Sequence, residues 1–222
     1  MLIAIDTATR SMGIALHDGQ VIVAEQHWIT RSYHTMQLAP EIALMLRRAE
    51  KTASSLTAVA VAKGPGSYTG LRIGMALAKG LALAHNLRMV GIPTLDIIAF
   101  NQPQREEPML VIIEAGRGRV AGMWYKWDSK GWQGLSEPEN LTWEEIVDNL
   151  EEETYICGEI NSKGRNLLKE EPLALIAPPA LSVRRPGVLA DLGLQKIRSG
   201  NVDDPSVLAP IYLPPRSSES PA

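Results

Sequence analysis

The stretch that decides the fold is Gly64-Pro65-Gly66-Ser67-Tyr68-Thr69-Gly70-Leu71-Arg72-Ile73-Gly74. An apolar segment, residues 56–62, precedes it, and a long segment rich in Ala, Gly and Leu, residues 71–87, follows it. This order is typical of a strand, a tight glycine loop and the first turn of a helix. Glycines let backbone amides approach a ligand and a helix N-terminus attracts anions, so the stretch first suggests phosphate binding. Its spacing nevertheless fits neither the P-loop nor the dinucleotide-binding fingerprint.

The composition indicates a soluble globular protein with one large or two small domains. The chain has 222 residues, of which 45% are hydrophobic and 21% charged, and its formal net charge of −3 does not attract nucleic acid. The single cysteine, Cys157, excludes an internal disulfide framework, and its apolar surroundings predict a buried, inert thiol. We find no basic leader and no charge-free apolar stretch of membrane-spanning length, and therefore expect a cytoplasmic protein.

The opening pattern of the chain returns about half a chain later. An apolar strand, residues 2–5, ends at Asp6 and leads through a polar turn into two further strands. The same order begins again at residues 110–113, where Glu114 takes the place of Asp6. In actin-like ATPases two such lobes clamp phosphates with their hairpin turns and hold a metal through acidic residues. The repeat therefore predicts an α/β protein with the actin-like ATPase (ASKHA, ribonuclease H-like) fold, in which each of two similar lobes opens with a β-meander.

Helices are expected to complete each lobe. Their predicted ranges are 36–49, 71–86, 94–101, 143–150, 161–168 and 186–199. Pro40 should lie in the first turn of the first helix or else kink it. The polar segment 102–108 separates an N-terminal lobe, 1–102, from a smaller lobe, 103–213, whose last helix is expected to return to the N-terminal lobe. We expect residues 214–222, which are rich in Pro and Ser, to be a disordered tail.

Four stretches of the chain resemble one family in order along nearly its whole length. They are Ile3-Ala4-Ile5-Asp6-Thr7-Ala8-Thr9, the glycine run with Ala78-Lys79-Gly80-Leu81-Ala82, the run Ala115-Gly116-Arg117-Gly118-Arg119-Val120, and Pro210-Ile211-Tyr212-Leu213. This combination resembles the bacterial TsaB (YeaZ) family. The glycine run alone is shared with the larger paralogue TsaD, but the length and the short second lobe favour TsaB.

The resemblance implies a non-catalytic partner and activator of the TsaD transferase. TsaD completes threonylcarbamoyladenosine beside the anticodon of tRNAs that read codons beginning with A. The resemblance further implies direct pairing with TsaD, a complex joined by the ATPase TsaE, and contact with tRNA mainly through TsaD. No intrinsic cofactor is expected, and ATP or ADP would lie at the junction with the partner subunits. Self-association through the same helices is also implied.

The alternative hypothesis is an enzyme, either an actin-like ATPase or a small-molecule kinase. The candidates for proximity to a nucleotide or phosphate are Asp6, Thr7, Gly66 and Arg72. Asp6 either holds a hydrated Mg²⁺ or caps turn amides, and we favour the cap. Arg72 has three candidate partners, which are a phosphate, a partner carboxylate and the carbonyls of the loop itself.

No catalytic residue and no metal site is predicted. The four histidines are His17, His27, His34 and His85, and no two are four residues apart, as in the His-x-x-x-His pair with which TsaD binds a metal. No Ser-His-Asp or Cys-His arrangement is visible in the sequence. A self-contained homodimer with a role of its own remains a third hypothesis.

Small residues recur at four-residue steps along the helix predicted at 71–86. Gly70, Gly74 and Ala78 form one ridge, and Ala76, Gly80 and Ala84 form a second. Glycine inside a helix costs about 1 kcal/mol relative to alanine, so close packing has to offset that cost. The packing partner is either the lobe's own sheet or a helix of a second subunit.

The resemblance implies that the first two helices pair with the equivalent TsaD helices as a four-helix bundle. The candidate interface residues are Met36, Leu38, Ile42, Met45, Gly70, Gly74, Met75, Ala78 and Leu81. About half of the apolar candidates are expected to belong to the core instead.

Overall fold

The computed structural model describes residues 1–30, 34–116 and 119–214, and its first sheet is built from the N-terminal part of the chain. The strands of this sheet are β1 (Leu2–Asp6), β2 (Ser11–His17), β3 (Ile22–Ile29), β4 (Ala58–Ala62) and β5 (Arg88–Ile92). They lie in the order β3-β2-β1-β4-β5, with β1 to β3 antiparallel and β4 and β5 parallel to β1. Both β1 and β4 are buried along their whole length, as expected of apolar central strands covered on both faces.

The second sheet repeats this order. Its strands are β6 (Met109–Gly116), β7 (Arg119–Asp128), β8 (Gly131–Gly134), β9 (Glu139–Leu141), β10 (Thr154–Gly158) and β11 (Ala174–Ile176). The main path is β11-β10-β6-β7-β8, in which β6, β10 and β11 are parallel, and β9 pairs with the free part of β7. The predicted duplication is confirmed. The short strands β9 and β11 were not predicted.

Six helices within the described residues accompany the sheets. They are α1 (His34–Arg48), α2 (Tyr68–His85), α3 (Thr94–Ala99), α4 (Trp143–Asp148), α5 (Ser162–Glu170) and α6 (Pro186–Arg198). Each lies where a helix was predicted, with ends that differ by a few residues. None of them is long and apolar enough to cross a membrane.

Capping residues explain where two of the helices begin. The Ser67 hydroxyl accepts a hydrogen bond from the Gly70 amide at 3.3 Å, so α2 starts earlier than predicted. Thr142 and Glu145 form the capping box of α4. The first of the two alternatives for Pro40, a place in the first turn, is wrong, because α1 starts at His34 and Pro40 lies in its second turn.

Each lobe receives one helix from the other half of the chain. Leu2 and Ala4 lie on the face of the first sheet that packs against α6, whereas Ile3 and Ile5 lie on the opposite face beneath α1 and α2. Conversely, α3 contributes buried apolar side chains to the core of the second sheet. This exchange fixes the two lobes against each other. The predicted tail lies outside the described residues except for Pro214.

A hydrogen bond between side chains also joins α3 to the second sheet. The Tyr125 hydroxyl on β7 donates to Asp96 Oδ1 at 2.7 Å. Burial raises the pKa of Asp96, although the bond from Tyr125 and the charge of Lys63 oppose the rise. Burial and the Asp96 carboxyl raise the pKa of Tyr125 as well.

The small ridges of α2 face in opposite directions. A Cβ atom on Gly70 would overlap the carbonyl oxygen of Thr7, and one on Gly74 would overlap the Thr7 hydroxyl, which donates to the Gly70 carbonyl at 2.7 Å. Apart from its own stretch of helix, no described atom lies within 4 Å of the position that a Cβ on Gly80 would take. The ridge that contains Gly70 therefore packs inward, and the ridge that contains Gly80 faces outward.

Gly70→Ala should destabilise the protein by about 1–3 kcal/mol, because backbone atoms of Thr7 cannot yield to the added methyl group. Gly80→Ala should instead stabilise it by about 0.4–1 kcal/mol, because alanine restricts the unfolded chain and fits the open space. Urea unfolding at one protein concentration measures both changes. Equal effects of the two substitutions would contradict the assignment of the ridges.

Asp96→Asn should become progressively more stable than the natural protein as the pH rises from acid to neutral. The raised pKa means that the folded state binds more protons than the unfolded state between the two pKa values, so this group's contribution to stability falls with rising pH. Asparagine still accepts from Tyr125 but does not ionise. The measurement is the free energy of unfolding in urea across this pH range. Asp148→Asn, at an exposed site, is the control, and a pH-independent difference for Asp96→Asn would refute the explanation.

Candidate functional site

The two lobes meet at a buried arginine that precedes α6. The side chain of Arg184 is 1% exposed, and its Nε donates to Asp6 Oδ2 at 2.7 Å. The Nη2 group of Arg184 donates to the Thr9 hydroxyl at 2.8 Å and to the Ser11 carbonyl at 2.7 Å, and its Nη1 group donates to Glu159. Asp6 ends β1 of the first sheet and Glu159 follows β10 of the second. One guanidinium thus holds a carboxylate from each lobe.

The two carboxylates are themselves positioned by local contacts. Asp6 Oδ1 accepts from the Ala8 amide at 2.9 Å, so Asp6 does cap its turn. Glu159 accepts from the Thr9 hydroxyl at 2.6 Å and from the Glu114 amide at 2.9 Å. Burial alone would lower the pKa of Arg184, but the charges and hydrogen bonds of both carboxylates raise it. The guanidinium is therefore permanently charged and neutralised in place.

A cavity of about 400 Å³ opens beside this cluster, between the lobes. It is lined by Thr9, Arg10, Ser11, His27, Ile29, Glu114, Glu159, Ile160, Asn161, Ser182 and Val183. Ser11 Oγ and His27 Nε2 lie 2.5 Å apart in its wall. Desolvation and then the charge of Arg184 lower the pKa of His27. Within the described chain no carboxylate is hydrogen-bonded to His27, so the pair lacks the third group of a catalytic triad.

Of the predicted phosphate candidates, the structure brings Asp6, Thr7 and Gly66 together at the β1–β2 turn, whereas Arg72 lies apart from them. Asp6 is bound to Arg184, and Thr7 is buried beneath α2 with its hydroxyl on the Gly70 carbonyl. A Cβ on Gly66 would meet the carbonyl oxygen of Ala8, so the glycine loop packs against the β1–β2 turn. Arg72 lies on the exposed side of α2, where its Nε donates to the Tyr212 hydroxyl at 3.1 Å. Within the described residues Arg72 is therefore bound to Tyr212 rather than to the carbonyls of the glycine loop.

Glu159 and Arg184 were missed from the sequence. The predicted second-lobe acid, Glu114, points to solvent and supplies only its backbone amide to the cluster. Arg184 stands beside Arg185, which is half-exposed and pairs with Glu25, and no local signal distinguishes the two arginines. Only the three-dimensional fold separates them, since Arg184 and Asp6 are 178 residues apart in sequence.

The remaining sequence predictions concern metal binding, the family-like run at residues 115–120 and the Cys157 thiol. Within residues 1–30, 34–116 and 119–214, no three His, Cys, Asp or Glu side chains are grouped to hold a metal ion. The side chain of His34 and the residues Arg117 and Gly118 of the family-like run lie outside the described part. Cys157 is buried in β10, as predicted, and burial raises its pKa.

Most of the predicted interface residues belong to the core of their own lobe. The buried ones are Leu38, Ile42, Met45, Gly70, Gly74, Met75 and Ala78. Five of them belong to the core cluster beneath α1 and α2, and Gly70 and Gly74 pack against Thr7, so all seven belong to the interior of the lobe rather than to its surface. Met36 is 70% exposed and Leu81 is partly exposed, so only these two reach the outer surface.

Apolar and small residues are nevertheless exposed on α1 and α2. Leu83 is 78% exposed, and Ala76, Gly80 and Ala84 are exposed on the same side of α2. On α1, Met36 is exposed. We call these five residues the outer α1–α2 face. It is suited to the close approach of another helix.

Arg184→Met should cost about 3–5 kcal/mol of stability, because it leaves the buried Asp6 carboxylate without its cation. The matched control is Arg185→Met, which breaks the surface pair with Glu25 and should cost less than about 1 kcal/mol. Adding Asp6→Asn to Arg184→Met should recover part of the loss. Urea unfolding measures all three, and equal losses for Arg184→Met and Arg185→Met would contradict the role of the buried cluster.

Comparison with known proteins gives a family match over most of the chain. The family model described as TsaD, tRNA N6-adenosine threonylcarbamoyltransferase, matches residues 27–157. The tRNA threonylcarbamoyladenosine biosynthesis protein TsaB of Bacillus subtilis is 28% identical over 217 residues, which are 96% of this chain and 93% of the relative. The protein of the same name from Escherichia coli is 34% identical over 149 residues, 66% of this chain and 64% of that one.

Solved structures confirm the predicted fold. YeaZ from Pseudomonas aeruginosa superposes with a TM-score of 0.74 at 21% identity, covering 95% of this chain and 99% of that one. The ethanolamine utilization protein EutJ from Carboxydothermus hydrogenoformans reaches a TM-score of 0.51 at 10% identity, over 85% of this chain and 88% of that one. The architecture is therefore the predicted α/β, actin-like fold. The family match and the two curated relatives show that the chain belongs to the TsaD family and, within it, to the TsaB (YeaZ) group.

Proposed function

We propose that the chain is a non-catalytic partner and activator of the TsaD transferase in the threonylcarbamoyladenosine modification of tRNA. The position of Arg184 carries the proposal, because its guanidinium fills the space beside the Asp6 carboxylate. Membership of the TsaB group supports the pathway, since the relatives that share this fold are named as biosynthesis proteins of that modification.

The residues present do not fit a metal-bound nucleotide at the acidic end of β1. A hydrated Mg²⁺ would need a carboxylate that is free to accept bonds from its water ligands. Here Asp6 is 2% exposed and saturated by Arg184 and by its own turn. The second-lobe carboxylate, Glu159, is bound to the same guanidinium. Opening the site would leave a buried cation without partners, which is costly.

The outer α1–α2 face is the surface that we expect to bind TsaD. Exposed Leu83 and Met36 are large apolar side chains, and the small residues beside Leu83 on α2 permit close helix packing. TsaD, as a member of the same family, would present equivalent helices, so pairing would form a four-helix bundle. A second copy of this chain would use the same face and compete with TsaD. TsaE, tRNA and any ATP or ADP would then join through the TsaD junction.

Leu83→Glu should weaken binding to TsaD at least about 30-fold, because it places a charge at the centre of an apolar helix contact. Isothermal titration of TsaD with each variant measures the dissociation constant. Leu135→Glu changes a leucine that is 60% exposed on the other lobe and should bind like the natural protein. Met45→Glu is not a useful test, since Met45 is buried and its substitution would disturb folding.

Unchanged affinity of a folded Leu83→Glu variant would refute the proposed interface. Binding and hydrolysis of ATP by the isolated chain would refute the non-catalytic assignment. Circular dichroism and the thermal midpoint establish that each variant is folded before its affinity is compared.

A further inference from the structure

The first turns of α2 carry a cationic and aromatic cluster that the proposed function leaves unexplained. The guanidinium carbon of Arg72 lies 3.9 Å from the centroid of the Tyr68 ring. Arg72 Nε donates to the Tyr212 hydroxyl at 3.1 Å, and the two tyrosine rings are 4.9 Å apart at an angle of 34°. We call these three residues the arginine clamp. One of its members comes from the end of the described chain, 140 residues away from Arg72.

Tyr212 reaches the clamp through a closing segment that is anchored to the first lobe. Asp203 bonds the backbone of β5, and its carboxylate accepts from Lys196 Nζ at 2.6 Å. Further along, the Ile211 amide donates to the Lys63 carbonyl at 2.6 Å. The carbonyl of Ile211 lies against Gly64, where a Cβ would overlap it. Tyr212 is therefore held in place by backbone contacts of the residue before it.

No acidic partner of the terminal nitrogens of Arg72 is found in the part of the chain that the structure describes. Among the described residues no carboxylate lies within ion-pair distance of this side chain, which is at the surface. A shallow cavity of about 350 Å³ adjoins it and is lined by Tyr68, Thr69, Arg72, Ile73 and Ala76. Ala76 also belongs to the outer α1–α2 face. The clamp is thus continuous with the surface proposed to pair with TsaD.

We propose that the arginine clamp is a pre-organised donor for a carboxylate of the partner subunit, with the adjoining cavity receiving an apolar side chain of the same partner helix. The inference rests on the proposed function and specifies the chemistry of that interface. A guanidinium presents parallel N–H groups that match a carboxylate in a bidentate pair. Stacking on Tyr68 and the bond to Tyr212 fix its orientation before binding, which reduces the entropy lost on association.

A protein carboxylate suits this surface better than a nucleic-acid phosphate. The cavity beside Arg72 has apolar walls, such as Ile73 and Ala76, that fit a side chain. Binding to a phosphate backbone draws on several cations together, whereas the chain has a net charge of −3. Arginine and tyrosine are also the residue types that dominate binding energy at the centres of protein interfaces.

The test is titration of TsaD with variants of the full chain at low and at high NaCl concentration. Arg72→Ala should weaken binding at least about tenfold at low salt, and less at high salt, where the ion pair is screened. Arg72→Lys should restore only a small part of the affinity lost in Arg72→Ala, since lysine keeps the positive charge but lacks the parallel N–H groups of a guanidinium. Tyr212→Phe should weaken binding less than Arg72→Ala, and should have no further effect when added to it.

Two controls separate failure of this inference from failure of the proposed function. Arg165→Ala removes an arginine from α5 of the other lobe and should leave the affinity unchanged. If Leu83→Glu abolishes binding while Arg72→Ala binds like the natural protein at both salt concentrations, the clamp proposal is overturned and the interface stands. If Leu83→Glu also binds normally, the interface itself is wrong. A loss of tRNA binding with unchanged TsaD affinity in Arg72→Ala would likewise overturn the proposal.

Discussion

One guanidinium determines how the two halves of this protein meet. Arg184 takes a carboxylate from the end of a central strand in each lobe and is itself removed from solvent. Such a cluster is stable only when every charge is paired and hydrogen-bonded, because each buried ion has lost its hydration. Arg184 directly precedes α6, which crosses back to the first sheet, and Asp6 directly precedes the turn on which α2 packs. The placement of these elements therefore depends on the same contact.

The glycine run has a structural role that follows from this arrangement. Thr7 stands one residue after Asp6 and lies under α2, where Gly70 and Gly74 leave room for it. The loop that resembles a phosphate cradle is thus filled by the protein's own β1–β2 turn. The same helix turns a second set of small residues outward, where nothing of the lobe covers Gly80. The inner side of α2 is therefore closely packed against the β1–β2 turn, and its outer side is exposed.

The fold could be predicted from the sequence because its signals are local or repeated. Apolar strands end at Asp6 and near Glu114 in the same order, and helix ends carry caps such as Thr142. The strands β9 and β11 were missed because three residues do not show a periodic pattern. Four-residue spacing predicted two small ridges on α2, but spacing alone cannot say which ridge meets the sheet, so the buried one was assigned to the interface.

The site was harder to predict because it is made by residues far apart in sequence. Asp6 was recognised, and its capping role is confirmed, but its ion-pair partner lies 178 residues away in a loop with no motif. Glu159 was overlooked because Glu114 occupies the position equivalent to Asp6. The strand β10 places Glu159 directly after its last residue, where it accepts from the Glu114 amide of its own lobe and from the Thr9 hydroxyl of the other lobe. Side chains that converge only on folding leave no pattern for sequence reasoning to detect.

The most direct test of the central claim is the rate of tRNA modification by TsaD and TsaE, supplied with threonylcarbamoyl-adenylate, with and without this chain. A protein whose Asp6 carboxylate is held by Arg184 and whose outer α1–α2 face binds TsaD should raise the transferase rate strongly in the mixture and have no modifying activity alone. An unchanged rate in the mixture, or modification by the isolated chain, would contradict the account.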